Sequence, residues 1–97
     1  MAFVQIIEFR SADLEGIRKA DDEWVRATEG KRTARRQLLA RDRSDPDRYF
    51  MLVFFASYES AMANSELPET RAVAEAFAAL ADGPPTFYDL DILTDKS

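Results

Sequence analysis

Tyr49-Phe50-Met51-Leu52-Val53-Phe54-Phe55, "YFMLVFF", puts seven apolar residues in a row into a 97-residue chain of formal net charge −5. A strand with one wet face alternates apolar and polar side chains. This stretch offers apolar side chains to both faces. It is too short for a buried helix, and its aromatic content suits a strand over 48–55. A turn over 43–48, with Asp45-Pro46-Asp47 as turn-forming residues, leads into it. The arginine-rich run 32–42 before that turn reads as its hairpin partner.

Working outward, "AFVQIIEF" (2–9) is a strand rich in β-branched and aromatic residues. Leu14, Ile17, Trp24 and Thr28 recur at helical spacing, so 12–28 is a helix. Ser11 or Asp13 caps its start, and Gly30 suits a left-handed residue just past its end. Ser57 caps a short helix over 58–65, and Pro68 opens a further one over 68–81 with Val73, Phe77 and Leu80 as its apolar stripe. Gly83 and two prolines end it, and 86–95 is the last strand. The order is βαββαβ with the second helix broken. It predicts one α+β ferredoxin-like domain over 1–97, a four-stranded antiparallel sheet with its helices on one face.

In that topology the opening stretch is a central strand beside the first. One of its faces meets the helices, and no element of the chain remains to cover the other. The first strand repeats the pattern, with Phe3, Ile7 and Phe9 on one side and Val4 and Ile6 on the other. So apolar a face exceeds the few hundred Å² that a monomer tolerates. Burying each large side chain is worth about 1.5–3 kcal/mol, so a homodimer packed sheet to sheet is expected. A one-residue shift in register exchanges the two faces. Whether Phe50, Leu52 and Phe54 or Met51, Val53 and Phe55 face the helices stays open at this stage.

Two such sheets face to face, with helices outside, make the dimeric α+β barrel. The chain resembles that superfamily, and in it the antibiotic-biosynthesis monooxygenase-like proteins. Asn64-Ser65, Asp82-Gly83-Pro84-Pro85 and Phe87-Tyr88-Asp89-Leu90-Asp91-Ile92 are similar to motifs of a group of small uncharacterised members. Asp89 stands where they carry Asn. The resemblance implies a pocket between helices and sheet. It also implies a range of chemistries, from cofactor-free oxidation of aromatic compounds to haem degradation. The haem degraders use a histidine on iron, and this chain has none.

The absence of histidine also removes the usual general base near neutral pH and the commonest metal ligand. The absence of cysteine removes thiolate chemistry and disulfides. No cofactor and no metal are therefore expected. The acidic balance argues against nucleic acid. No run approaches a membrane span, and no basic segment precedes the first apolar run, so a cytoplasmic protein is expected.

Advancing about 100° per residue from Ile17 puts Asp21 at about +40°, between Thr28 at about +20° and Leu14 at about +60°. A carboxylate inside an apolar stripe is desolvated, and its pKa rises unless a cation or hydrogen bond compensates. Asp21 is thus either a general acid or base beside Trp24, or the partner of an arginine, Arg35 or Arg36. Segment 31–48 carries seven cations against three carboxylates, leaving it at +4 and the rest at −9. Arg36 is a candidate for holding an anionic ligand; a solvated edge strand or a basic hairpin against an acidic partner surface explains the charge equally. Asn64 lies at the break between two helices, where it could bond a ligand carbonyl, while Ser65 suits a helix cap. Tyr58, Met62, Phe77 and Phe87 are candidate walls of an apolar pocket, or plain core.

Two functions fit: a cofactor-independent monooxygenase acting on an aromatic or enolisable small molecule, with Asp21 and Asn64 as its catalytic residues, or a non-catalytic protein that binds a small apolar or anionic ligand or serves in assembly.

Overall fold

Tyr49, Met51, Val53 and Phe55 are buried under the helices, whereas Phe50, Leu52 and Phe54 lie half-buried on the opposite face of the sheet. This settles the register of the opening stretch. The computed structural model describes residues 1–97. Its elements are β1 (Phe3–Arg10), α1 (Leu14–Ala27), β2 (Arg36–Asp42), β3 (Asp45–Phe55), α2 (Tyr58–Ser65), α3 (Pro68–Leu80) and β4 (Thr86–Asp91). The antiparallel sheet has the order β2-β3-β1-β4, the ferredoxin-like arrangement with β3 and β1 at its centre. No helix is long and apolar enough to cross a membrane.

The core lies on the helix side. Phe3, Phe9, Met51, Val53 and Phe55 pack there with Ile17 of α1 and Ala61 of α2. Phe77 joins them from α3, its ring stacked on Phe9 at 6.3 Å between centroids. On the outer face, Leu38, Leu52, Ile6 and Tyr88 form one row across the four strands, and Phe54, Val4 and Leu90 form the next.

Asp13 caps helix α1, its carboxylate accepting from the Gly16 amide at 2.9 Å. Ser11, the other candidate cap, instead donates its hydroxyl proton to the Leu80 carbonyl at 2.7 Å and accepts from the Asp13 amide. It ties the exit of β1 to the end of α3. Gly30 holds φ +82, the left-handed region that suits glycine.

Four expectations need correction. Strand β2 starts at Arg36 and not at residue 32. Thr33 is drawn away from the ladder by α2, its hydroxyl donating to the Ser60 carbonyl and its amide to Asn64 Oδ1. Asp45-Pro46-Asp47 is not the turn but the start of β3. The register jumps there, since Arg41 faces Tyr49 while Asp42 faces Asp45. Proline, with no N–H for a ladder, is tolerated at such a bulge. Strand β4 ends at Asp91, opposite Phe3, where the ladder of β1 also ends. Ser65 does not cap α3: it lies in the last turn of α2, its hydroxyl donating to the Ala61 carbonyl, and α3 starts at Pro68 without a side-chain cap.

Candidate functional site

On the helix side of the sheet, Gln37 of β2 and Gln5 of β1 flank Val53 of β3 in one cross-strand row, which ends at Asp89 of β4, whose carboxylate accepts from the Gln5 amide at 3.2 Å. Helix α1 lowers Asp21 onto this row, and the Gln37 side-chain amide donates to its carboxylate. One turn on, the indole N–H of buried Trp24 donates to the Thr70 hydroxyl of α3 at 2.9 Å. These groups, with Asn64 and Phe77, border a cavity of about 70 Å³ between α1, α3 and the sheet. Burial pushes the Asp21 carboxyl above the usual carboxylate range, and the neighbouring Asp22 adds to this. The Gln37 amide and the Arg32 charge pull it back. No arginine bonds it, so the ion-pair alternative fails: Asp21 is held by a neutral amide.

Asn64 is buried at the end of α2. Its Oδ1 accepts from the Thr33 amide at 3.4 Å, which pins the side chain and leaves its amide nitrogen for whatever enters the cavity. The space continues under α3 into a cleft of about 240 Å³ against β1 and β4. The two share Gln5, Ile7, Thr70, Val73 and Phe77 as a common wall. The cleft is apolar, with Phe87 and Pro85 at its β4 end and Arg71 as its one charged lining residue.

Of the residues singled out by sequence, Asp21, Trp24, Asn64 and Phe77 meet around the cavity, and Phe77 and Phe87 line the cleft. Three stand elsewhere. Arg36 lies opposite Phe54 on the outer side of the edge strand β2 and borders a separate hollow with Arg32 and Arg35. Tyr58 packs edge-on against Phe3 at 5.5 Å but is largely exposed, and Met62 is exposed on the outside of α2. Sequence reasoning missed Gln37, Gln5 and Thr70. Gln5 carries a visible signal, a lone amide interrupting an apolar strand. Gln37 shares a face with Leu39 and alternates with Leu38, but that alternation names the face only once the register is known.

No protein-family model matches the chain, and no curated protein matches it. Solved structures do. A Caulobacter crescentus protein provisionally described as an antibiotic biosynthesis monooxygenase superposes with a TM-score of 0.82 at 14% identity, covering 96% of this chain and 91% of the other. Rv0793 from Mycobacterium tuberculosis gives 0.81 at 14% identity, covering each chain in full at 100%. SnoaB from Streptomyces nogalater, described as a cofactor-independent oxygenase, gives 0.80 at 12% identity over 97% and 95% of the two chains. The fold is that of the antibiotic-biosynthesis monooxygenase-like proteins. At such identities the likeness is one of backbone, and function has to be argued from the site itself.

Proposed function

We propose that this chain forms a homodimer that binds an aromatic or enolisable small molecule under α3 and oxygenates it without a cofactor. The observation that carries the reading is the Asp21 carboxyl, desolvated at the edge of an apolar cavity and oriented by Gln37. Burial makes it a better base than a free aspartate. The Asp21 carboxylate takes a proton from an acidic C–H or O–H of the substrate, and the Asn64 amide nitrogen donates to the oxygen that gains charge. The substrate anion passes one electron to O₂, and the radical pair joins in a C–O bond. The peroxide anion so formed takes the proton back from the Asp21 carboxyl, and the hydroperoxide then loses water and leaves a carbonyl, so one O₂ is consumed for each water and carbonyl formed. The fold shared with a cofactor-independent oxygenase supports this class of chemistry. Oxygen uptake measured on a panel of hydroquinones and cyclic 1,3-diketones tests it. Wild type should consume O₂ in step with carbonyl formation and Asp21→Asn should not; full activity in Asp21→Asn removes Asp21 from the mechanism.

The dimer rests on the outer face of the sheet, where Leu38, Tyr88 and Leu90 are exposed beside half-buried Leu52 and Phe54. A second copy would cover both apolar rows. Light scattering at micromolar concentration should give twice the 11.0 kDa chain mass.

One observation favours a second reading, a ligand-binding protein without chemistry: the larger cleft is lined by no carboxylate. Saturable binding of the same panel with no O₂ uptake would select it.

A further inference from the structure

Between the end of α1 and the start of β2 lies a hollow of about 200 Å³ bordered by Arg32, Arg35, Arg36, Trp24, Val25 and Ala34, with Gln37 at its edge. None of the three arginines makes a salt bridge, although the chain carries 18 carboxylates against 13 cations. No carboxylate lines the hollow. In a chain with acid to spare, a hollow bordered by three arginines and no carboxylate, Arg32 half-buried and Arg35 and Arg36 exposed, is a patch of positive potential that attracts anions.

The arrangement is also pre-set. Arg32 donates through Nη1 to the Val25 carbonyl at 2.9 Å and to the Thr28 hydroxyl at 3.0 Å. Its guanidinium lies 5.4 Å from the centre of the Trp24 ring. Only one of its nitrogens is spent, so the fork stays available to an oxyanion. Holding an arginine in place beforehand removes much of the entropy lost on binding. We propose that this hollow is a binding site for a small phosphate-bearing anion, gripped by Arg32 and Arg35 beside Trp24, with Arg36 at its rim. Phosphate fits better than a single carboxylate. Its two charges and several acceptor oxygens engage more than one fork at once, whereas a carboxylate satisfies one. Trp24 and Gln37 also border the Asp21 cavity, so the two sites share a wall. Anion binding in the hollow does not depend on chemistry in the Asp21 cavity.

Trp24 is the only tryptophan in the chain, so its fluorescence reports on the site directly. Wild type would be titrated with inorganic pyrophosphate, phenyl phosphate and benzoate at constant ionic strength. Saturable change with the two phosphates and none with benzoate is expected. Tighter binding of phenyl phosphate would identify an ester as the preferred source, and tighter binding of pyrophosphate a free inorganic anion. Arg35→Gln should weaken pyrophosphate about tenfold, the loss of one charge-assisted fork. Arg36→Gln provides a second variant, with circular dichroism and molecular mass checked for both. Arg43→Gln removes the same charge at the far end of β2 and should change affinity less than about twofold. A Trp24 signal that does not respond to pyrophosphate overturns the proposal. So does equal binding of benzoate, or equal weakening by Arg43→Gln.

Discussion

The side-chain amide of Gln37 donates to the carboxylate of Asp21, joining the edge strand β2 to the buried side of α1. An acidic side chain on the inner face of a helix is thus held without a counter-charge. Its ionised form is the costly one, because burial disfavours charge more than one amide restores.

Asp21→Asn should therefore stabilise the fold at neutral pH. A group whose folded pKa lies above its unfolded value contributes its stability below the unfolded pKa and loses it as pH rises through the folded pKa. The ionised Asp21 is thus a penalty at neutral pH that the Asn variant lacks. Thermal melts of both proteins should show the variant ahead at about pH 7, with the gap closing near about pH 4, where unfolded aspartate protonates. An equal or lower melting temperature at neutral pH would contradict the assignment.

Removing the donor acts in the opposite direction. Gln37→Leu leaves the half-buried carboxylate with no hydrogen-bond partner, and a loss of about 1 kcal/mol is expected, at the low end for an unsatisfied group because solvent still reaches it. In the Asp21→Leu background the same change should cost little. Urea unfolding of the four proteins measures the coupling, and additive losses would show that the amide does not serve the carboxylate.

Acid sensitivity should come from a different place. Arg48 donates to Glu8 at 2.8 Å and to Asp42 at 2.9 Å, and Arg10 meets Asp45 at 2.7 Å. Hydrogen bonds from Arg48 and Tyr88 hold Glu8 below the usual range, the Ser44 amide and then Arg48 lower Asp42, and Arg10 lowers Asp45. Groups lowered in the fold contribute stability above their unfolded pKa and lose it as pH falls through the folded value. Arg48→Met should flatten the fall in melting temperature below about pH 4. An acid limb as steep as wild type would place its origin elsewhere.

Ser11→Ala probes the junction of β1, α1 and α3. The hydroxyl is buried, donates to the Leu80 carbonyl and accepts from the Asp13 amide. Its loss strips both groups of their partner and should cost about 1–2 kcal/mol in denaturant unfolding. A near-neutral result would mean that solvent satisfies both.

Leu52→Glu tests the outer face. Leu52 lies between Leu38 and Ile6 at the centre of the sheet, and a carboxylate there would be desolvated by any second copy. The variant should remain folded by circular dichroism and run at the monomer mass. An unchanged dimer would place the interface elsewhere.

Periodicity and turn chemistry in the sequence determined the element order, the central place of YFMLVFF, the break before Pro68 and the inward tilt of Asp21. Those signals are local: they depend on which residues recur at helical or strand spacing and on where the chain cannot continue. Tertiary structure alone decided the rest. Which half of YFMLVFF faces the helices turned on a register that a single residue would invert. Whether Asp21 met an arginine or an amide depended on Gln37 and Arg36 being neighbours in sequence with side chains on opposite faces of β2. The same alternation sends Arg36 away from the cavity, and the path of residues 31–35 past the end of α1 gathers Arg32 and Arg35 beside Trp24. Spacing along a chain places side chains on faces, but only the packing of those faces determines which charges meet.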